Sequence, residues 1–360
     1  MLTAERAQEL EKTLRHFPLL EGWEAPALLG LIERELSHAE ILDGFRPYGK
    51  RKAHAIPLQP ILHIVSHNTP HAALQSLVRG LLLGSHNFLK IPTAGLPEAE
   101  EFIRLLSPSL ASLVHVSRSL EDSWLEKAEA VIVFGADETI ETLRKKVSAD
   151  CLFLPHGHSI SFGIVFEDPH YSSVEAAAKD VFLYDQRGCL SPHTLYVASS
   201  LASREYARRL ANALKKLCDA GCEAHSTAEA AGIFAERHYF HFLQTMRPDI
   251  EVWASEGSSD WTVIHDPNPE FRPSPLGRTV FVKPLPTELS VSLAGIHKWI
   301  SGIGIWPARE EYAQIAAQLG ASRICPLGKM QFPPADWHQD ALPVLSQLVH
   351  WVDFEEETQG

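Results

Sequence analysis

The 360-residue sequence lacks long apolar runs and an excess of positive charge. Apolar runs such as residues 81–83 and 132–134 are far shorter than the roughly 20 residues of a membrane-spanning helix, and the acidic, amphipathic N-terminus does not resemble a signal peptide. The formal net charge of -13 disfavours nucleic acids and anionic membranes as partners, because both would repel the chain. These absences predict a cytoplasmic protein that binds no nucleic acid and does not span a membrane.

Cysteines are few, and they do not form an even set. The five lie at positions 151, 189, 218, 222 and 325, which indicates reduced thiols rather than a disulfide framework. Cys218 and Cys222, with the acidic and histidine residues that follow, match no common zinc-ligand spacing, so no metal site is predicted. Reduced thiols leave thiolate chemistry available.

The sequence also lacks the G-x-G-x-x-G fingerprint of a conventional dinucleotide site. The nearest approach, residues 302–304, has no third glycine. Residues 131–140 instead predict a strand, a turn at Gly135 and Ala136, and a helix start whose free amides could bind a pyrophosphate. Asp137 and Glu138 are equally explained as ordinary first-turn residues of that helix.

The overall pattern is that of an α/β protein. Residues 3–36 have helical periodicity, and from Pro60 short apolar runs alternate with amphipathic helices, which predicts a parallel sheet. The length of the chain favours two domains.

Residues 184–192 place Cys189 on a loop between a predicted helix and a predicted strand. A thiol in such a loop can meet a substrate, and the neighbouring Arg187 would favour its reactive thiolate form. Cys189 is therefore a candidate nucleophile. The alternative is a small hydrophobic residue packed at the start of a strand.

Two predicted strand ends carry polar side chains. Asn68 follows the strand at residues 61–65, and the carboxyl ends of strands are where open α/β sheets bind ligands. Its amide could donate to a developing oxyanion, or it could simply cap the turn. Lys90 ends the next short strand and could reach a cofactor's ribose or phosphate, although surface lysines are common there.

The chain contains, in this order, the turn at Asn68, the strand that ends in Lys90, the turn at Gly135, residues 155–159 and the Cys189 loop. This order resembles that of the aldehyde dehydrogenase superfamily. The sequence is more closely similar to the acyl-CoA reductase (LuxC-type) family, the reductase component of bacterial fatty-acid reductases, over roughly residues 61–353. The resemblance implies an aldehyde-dehydrogenase-like α/β fold with a Rossmann-like cofactor domain and an α/β catalytic domain. The predicted divisions are a helical lead-in and N-terminal extension (1–59), a nucleotide-binding domain (60–187), a catalytic thiol domain (188–330) and a C-terminal tail that is a candidate oligomer contact (331–360).

The resemblance also implies roles for individual residues. Cys189 would be the acylated nucleophile, and Asn68 would donate to the oxyanion. Lys90 would contact the adenosine ribose, while Gly135 and Ala136 would lie beside the pyrophosphate.

Two departures from the superfamily pattern refine this prediction. Hydrolytic members carry a glutamate general base where this chain has residues 153–157, which include no carboxylate, so hydrolysis of an acyl-enzyme should be slow. His156 or His158 could assist proton transfer, and a structural role explains either equally well. Thr93 stands where NAD-selective relatives often carry a glutamate, and it would not repel a 2′-phosphate, so NADPH is predicted with NADH as the alternative.

The predicted function is NADPH-dependent reduction of an acyl thioester, such as a fatty acyl-CoA, to an aldehyde through an acyl-cysteine intermediate. The alternatives are an NAD(P)-dependent aldehyde dehydrogenase that releases a free acid, and a non-reducing acyl-carrying subunit. The expected partners are acyl-CoA or another acyl thioester, an acyl-activating enzyme, and further copies of the chain in a homo-oligomer. The sequence leaves the acyl chain length and the acyl donor open.

Overall fold

The computed structural model describes residues 1–355, leaving aside the side chains of residues 200 and 201. The α-helices within that range are α1 (Thr3–Leu14), α2 (Ala25–Leu36), α3 (Pro70–Leu83), α4 (Pro97–Leu105), α5 (Pro108–Ala111), α6 (Asp122–Lys127), α7 (Asp137–Arg144), α8 (Val174–Phe182), α9 (Ser200–Asp219), α10 (Thr227–Met246), α11 (Leu289–Ser292) and α12 (Glu310–Ala317). Short 3₁₀ turns occur at Pro18–Leu20, Ala39–Leu42, Leu183–Gln186, His297–Trp299 and Ser346–Leu348.

The strands are β1 (Arg46–Tyr48), β2 (Arg51–Pro57), β3 (Ile61–Ile64), β4 (Asn87–Lys90), β5 (Val114–Ser117), β6 (Ala130–Phe134), β7 (Leu152–His156), β8 (Ile160–Val165), β9 (Pro192–Val197), β10 (Glu251–Ala254), β11 (Thr262–His265), β12 (Thr279–Pro284), β13 (Ile300–Trp306), β14 (Arg323–Pro326) and β15 (Val349–Phe354). The chain divides into two compact units: residues 1–158 and 332–355 form the first, and residues 159–331 form the second. The predicted α/β class is confirmed.

The first unit contains a five-stranded sheet in the order β5-β4-β3-β6-β7, with every strand parallel to its neighbours. Within this sheet the chain first forms the central strand β3 and then adds β4 and β5 on one side of it. It then crosses to the other side of β3, where it forms β6 and β7. In such a doubly wound sheet, the reversal of strand order leaves a crevice beyond the carboxyl ends of the two adjoining strands. Here that crevice lies beyond β3 and β6.

Helix α3 fixes the turn that follows β3. Pro70 occupies its first position, where a missing N–H costs nothing, and Gly84 ends it in the left-handed region at φ 87°. Nearly all of its residues are buried, including the apolar run Leu81–Leu83. The turn containing Asn68 is therefore held between a buried strand and a buried helix.

The first unit also contains an antiparallel sheet in the order β1-β2-β15. Before β15, the Glu35 carboxylate accepts hydrogen bonds from the backbone amides of residues 344, 345 and 346 at 2.9, 2.7 and 2.9 Å. Trp23 Nε1 donates to the Pro333 carbonyl at 3.0 Å. Residues 332–354 are thus a folded part of the first unit rather than the predicted C-terminal tail, whereas the oligomer contact stays a prediction.

The second unit contains a seven-stranded sheet in the order β10-β11-β12-β9-β8-β13-β14. Its strands are parallel except for β10, which is antiparallel to β11. Helices α8 and α9 cover one face, where Leu195 and Val197 of β9 join the buried core. Tyr196, between them in sequence, packs in the core on the opposite face. The loop that carries Cys189 leads into this interior strand.

The observed division of the chain differs from the predicted one. The predicted boundary between residues 187 and 188 lies within the second unit, because β8 pairs with β9 and α8 packs on the same sheet. The predicted lead-in is part of the first unit, where Arg6 Nε donates to the Leu82 carbonyl at 2.9 Å. No helix within residues 1–355 is both long enough and apolar enough to cross a membrane.

A buried polar network joins β3, α3 and β4. His63 Nδ1 lies 2.6 Å from Ser76 Oγ, and His63 Nε2 lies 3.0 Å from Asn87 Oδ1. Burial lowers the pKa of His63 to about 4, so the ring is neutral at physiological pH. Gly80 packs directly against this network, and a Cβ there would overlap Asn87 Oδ1.

We predict that Gly80→Ala lowers the free energy of unfolding by about 1–3 kcal/mol, because the added methyl group would displace a buried hydrogen-bonded side chain. Gly30→Ala in α2 is the matched control, since its Cβ would meet nothing within 4 Å. The control should be neutral or stabilising by up to about 1 kcal/mol. Urea unfolding followed by circular dichroism measures both, and equal effects would contradict the packing argument.

Candidate active site

Cys189 lies in the turn between the 3₁₀ segment Leu183–Gln186 and strand β9. Its side chain is exposed, whereas Cys151 and Cys325 are buried and Cys218 and Cys222 are half-buried. The residues that follow it, Leu190 and Ser191, are buried. The thiol is therefore accessible to a ligand although its turn is anchored in the core.

The turn is anchored on its N-terminal side by the buried side chain of Gln186. Gln186 Nε2 donates to the Pro192 carbonyl at 2.8 Å, and Gln186 Oε1 accepts from the Thr279 amide at 2.8 Å. Tyr184, Asp185 and Gln186 all have φ between 53° and 62°. Three consecutive left-handed residues cost about 1–2 kcal/mol each, so the conformation needs such bonds to persist.

Asp185 is held by Arg278, which is fully buried and forms an ion pair with it. Arg278 also donates to the carbonyls of Asp260 at 2.6 Å and Glu223 at 2.8 Å. Burial lowers the pKa of Arg278 to about 10, which still leaves it charged at neutral pH. Arg278 was not among the candidate residues predicted from the sequence.

The C-terminal side of the turn is anchored by two further bonds. Ser161 Oγ donates to the Cys189 carbonyl at 2.7 Å and accepts from the Gly302 amide at 3.0 Å. Gln331 Nε2 donates to Ser191 Oγ at 2.8 Å. Ser161, Ser191 and Gln331 were not predicted from the sequence, where the only local signal was a polar residue beside an apolar strand.

The segment that carries Gln331 is fixed by Asp180. The buried Asp180 carboxylate accepts from the amides of Gly328 at 2.5 Å and Met330 at 3.1 Å. Burial raises the pKa of Asp180 to about 7 despite these two bonds. The backbone position of Cys189 thus depends on a network that extends through β8, α8 and the segment after β14.

Arg187 does not present a free positive charge to the thiol. Its guanidinium lies 3.0 Å from Glu229 Oε1 and 3.6 Å from Asp185 Oδ2. Two carboxylates therefore offset the charge that the sequence analysis expected to favour the thiolate.

Asn68 lies at the carboxyl edge of the sheet in the first unit. Its side chain is exposed in the bend after β3, and it makes no hydrogen bond to another residue in the described part of the chain. Gly135 and Ala136 follow β6 beside it, and Ala136 is the residue that precedes α7. The first amide groups of a helix have no partner within the helix, so α7 offers donors at this edge.

The remaining predicted cofactor residues follow the neighbouring strand. Lys90 ends β4 half-buried, and Thr93 is exposed in the turn that comes next. Since β4 is parallel to β3, both belong to the edge that carries Asn68 and Gly135.

His156 ends β7 at the same edge. Its ring stacks on Phe134 with centroids 4.5 Å apart, and its Nδ1 lies 2.5 Å from Asp340 Oδ2. His158 is exposed, and its backbone amide donates to Asp137 Oδ1 at 3.2 Å. The first unit therefore brings together six of the predicted residues, Asn68, Lys90, Thr93, Gly135, Ala136 and His156, whereas Cys189 belongs to the second unit. Within residues 1–355, no group of three or more His, Cys, Asp or Glu side chains is placed to hold a metal ion.

Comparison with known proteins is consistent across the whole chain. The model of the family described as acyl-CoA reductase (LuxC) matches residues 2–351. Similar curated proteins include the long-chain acyl-protein thioester reductase 2 of Photobacterium leiognathi, which is 25% identical over 352 residues that cover 91% of this chain and 71% of the relative. The long-chain acyl-protein thioester reductase of Vibrio harveyi is 24% identical over 349 residues, with the same coverages of 91% and 71%.

Solved structures with a similar fold include aldehyde dehydrogenases. The aldehyde dehydrogenase KauB from Pseudomonas aeruginosa superimposes with a TM-score of 0.66 at 14% identity, covering 98% of this chain and 84% of that one. The NAD-dependent benzaldehyde dehydrogenase from Corynebacterium glutamicum gives 0.64 at 12% identity, with coverages of 99% and 86%. The predicted aldehyde-dehydrogenase-like fold is confirmed.

We predict that limited alkylation with iodoacetamide labels Cys189 before the other four cysteines. Burial raises the pKa of Cys325 to about 11, and burial also raises the pKa of Cys151, Cys218 and Cys222, so all four are poor nucleophiles. Peptide mass spectrometry over a time course measures the order of labelling. Cys189→Ser should remove the fast phase and Cys222→Ser should keep it, whereas faster labelling of any other cysteine would contradict the prediction.

Proposed function

The chain belongs to the acyl-CoA reductase (LuxC) family, and we propose that it reduces an acyl thioester to an aldehyde with NADPH through an acyl intermediate on Cys189. The observation that carries this proposal is an exposed thiol on a turn whose backbone is anchored on both sides by buried hydrogen bonds. An accessible nucleophile on a fixed backbone suits covalent catalysis, which divides one difficult step into two easier ones.

In the proposed acylation, the Cys189 thiolate attacks the thioester carbonyl and the donor's thiol leaves. The Asn68 amide donates to the oxyanion of the tetrahedral intermediate, a contact that typically contributes about 3–4 kcal/mol to the transition state. Its exposed position after β3, with no other described partner, supports this role because the amide is available to a ligand.

In the proposed reduction, the acyl group on Cys189 becomes a thiohemiacetal, which collapses to an aldehyde and the free thiolate. The nicotinamide cofactor supplies the hydride when bound. The residues at the edge of the first unit's sheet suit such a cofactor, since α7 offers N-terminal amides to a pyrophosphate and Lys90 can reach a ribose. Gly135 has open space where a side chain would project.

The end of β7 favours reduction over release of a free acid. Residues 153–157 carry no carboxylate, so this strand end provides no glutamate or aspartate to activate water. An acyl-enzyme that water attacks slowly can persist until hydride transfer. This distinguishes the proposed reductase from an aldehyde dehydrogenase that hydrolyses the same intermediate.

For the substrate, we propose a fatty acyl thioester. Relatives of this chain are named long-chain acyl-protein thioester reductases, which supports a long acyl group and a thioester donor. The donor would be CoA or the acylated thiol of an acyl-activating partner enzyme. We also propose that the protein works as a homo-oligomer.

We predict that incubation with a series of acyl-CoAs in the absence of NADPH adds one acyl group to Cys189, because no water-activating carboxylate ends β7. NADPH should then discharge the adduct as an aldehyde. Intact and peptide mass spectrometry detects the adduct, and trapping with a hydrazine detects the aldehyde. Cys189→Ala should abolish both signals, and Cys222→Ala is the matched control that should retain them.

Other results would identify the rival functions. An adduct that survives bound NADPH would favour a non-reducing acyl-carrying subunit. Rapid release of free acid from the adduct would favour an aldehyde dehydrogenase, and an unmodified Cys189 would overturn the proposal for these donors.

The preference for NADPH is supported by Thr93. Its exposed side chain follows the strand that ends in Lys90, and it carries no negative charge that would repel a 2′-phosphate.

We predict that Thr93→Glu lowers kcat/KM for NADPH by about tenfold or more while kcat/KM for NADH changes little, because the new carboxylate would lie beside the 2′-phosphate. Steady-state kinetics with both cofactors measures the ratio. Ala94→Glu, which places the same charge at the next exposed position, is the control and should leave the ratio unchanged. Equal losses with both cofactors would contradict the assignment of Thr93.

A further inference from the structure

Arg118 follows strand β5 at the carboxyl edge of the first unit's sheet. Strands β4 and β5 are parallel, and their register pairs Lys90 with Ser117, so Arg118 lies one residue beyond the partner of Lys90. The Ile91 amide donates to the Ser117 carbonyl at 3.0 Å, which continues the pairing past the end of β4. Arg118 and the turn at residues 92–95 therefore leave the sheet side by side.

The guanidinium of Arg118 packs on the backbone of that turn. A Cβ on Gly95 would lie 3.1 Å from Arg118 Nη2 and 3.5 Å from its Cζ. Gly95 has a φ of 91°, and its amide donates to the Pro92 carbonyl at 2.9 Å, which closes the turn. Thr93 lies inside the closed turn, so the positive charge of Arg118 lies against the same turn as Thr93.

A single carboxylate holds Arg118 in this position. Arg118 Nη2 donates to Glu100 Oε1 at 2.8 Å, and the two side chains are 57% and 40% exposed. Within residues 1–355, Nε and Nη1 of Arg118 make no hydrogen bond with another residue. An exposed ion pair of this kind contributes little to stability, so a dianion can compete with Glu100 for the guanidinium. The planar set of N–H groups of an arginine matches the oxygens of a phosphate.

Thr93 and Arg118 would act on a 2′-phosphate in different ways. The neutral hydroxyl of Thr93 does not repel the phosphate, but it supplies no charge to attract it. The chain carries a formal net charge of -13, so a dianion gains affinity only where a cation stands close to it. Arg118 supplies a cation at the turn that contains Thr93.

From this arrangement, and resting on the proposed function, we propose that Arg118 binds the 2′-phosphate of NADPH and that Glu100 competes with the phosphate for its guanidinium. NADH carries a hydroxyl group in place of this phosphate and gains no ion pair from Arg118. Loss of Arg118 therefore weakens only a 2′-phosphorylated ligand. Loss of the Glu100 charge strengthens that ligand, because the guanidinium no longer has a competing anion.

Isothermal titration calorimetry on the full-length protein tests this assignment without any acyl substrate or hydride transfer. The two ligands are adenosine 2′,5′-bisphosphate and adenosine 5′-monophosphate, which differ by the 2′-phosphate alone. We expect Arg118→Gln to raise the Kd of the bisphosphate about tenfold and to leave the Kd of the monophosphate within about twofold. Glu100→Gln should lower the Kd of the bisphosphate about threefold.

Two further variants separate a direct contact from a general effect of charge. Arg118→Lys keeps the charge but loses the planar fork, and it should recover part of the affinity for the bisphosphate. Arg104→Gln is the matched control, because it removes another exposed arginine that pairs with a glutamate, Glu101, in the last turn of α4. Both Kd values should stay unchanged in this control, and circular dichroism checks that each variant is folded.

The outcomes separate this assignment from the proposed function. An equal rise in both Kd values in Arg118→Gln would show that Arg118 only supports the turn, and an unchanged Kd of the bisphosphate would overturn the proposed contact. An equally large effect in Arg104→Gln would assign the change to the overall field of the protein. Wild-type protein that binds neither ligand would reject the cofactor site of the proposed function, and this inference with it, whereas the acyl adduct on Cys189 tests the thiol chemistry independently.

Discussion

Parallel strands end at a common edge, and the chemistry of the first unit depends on that constraint. Strands β3, β4, β6 and β7 run in one direction, so the residues that follow them gather at one side of the sheet. The reversal of order between β3 and β6 opens this side to a ligand. The buried network of His63 and the tight packing at Gly80 hold α3 against β3 and β4, and thereby fix the turn that contains Asn68.

Cys189 is positioned by a different principle, because its turn lies before a strand rather than after one. Strand direction alone does not fix that turn. The left-handed conformation of its three residues also costs conformational free energy. Buried side chains offset that cost: Gln186 bridges two strands, Arg278 holds Asp185, and Ser161 holds the Cys189 carbonyl. Cys189 thus combines an exposed thiol with a backbone anchored by buried side chains.

The sequence was informative where structure is encoded locally. Alternating apolar runs predicted the strand that precedes Asn68 and the strand that ends in Lys90, and the change from helix to strand predicted the loop of Cys189. Contacts between distant residues were not predictable: Thr279 lies 93 residues from its partner Gln186, and Asp340 lies 184 residues from its partner His156. The same limit explains the predicted C-terminal tail, because β15 pairs with β2 across most of the chain and no local pattern indicates that pairing.

The two proposed half-reactions explain why the residues at the sheet edge differ in type. Stabilising an oxyanion needs a donor that stays neutral at every pH, which the amide of Asn68 provides. Binding a pyrophosphate needs several donors close together, which the first backbone amides of α7 after Gly135 and Ala136 would provide. A carboxylate at either place would repel the negative charge that it faces.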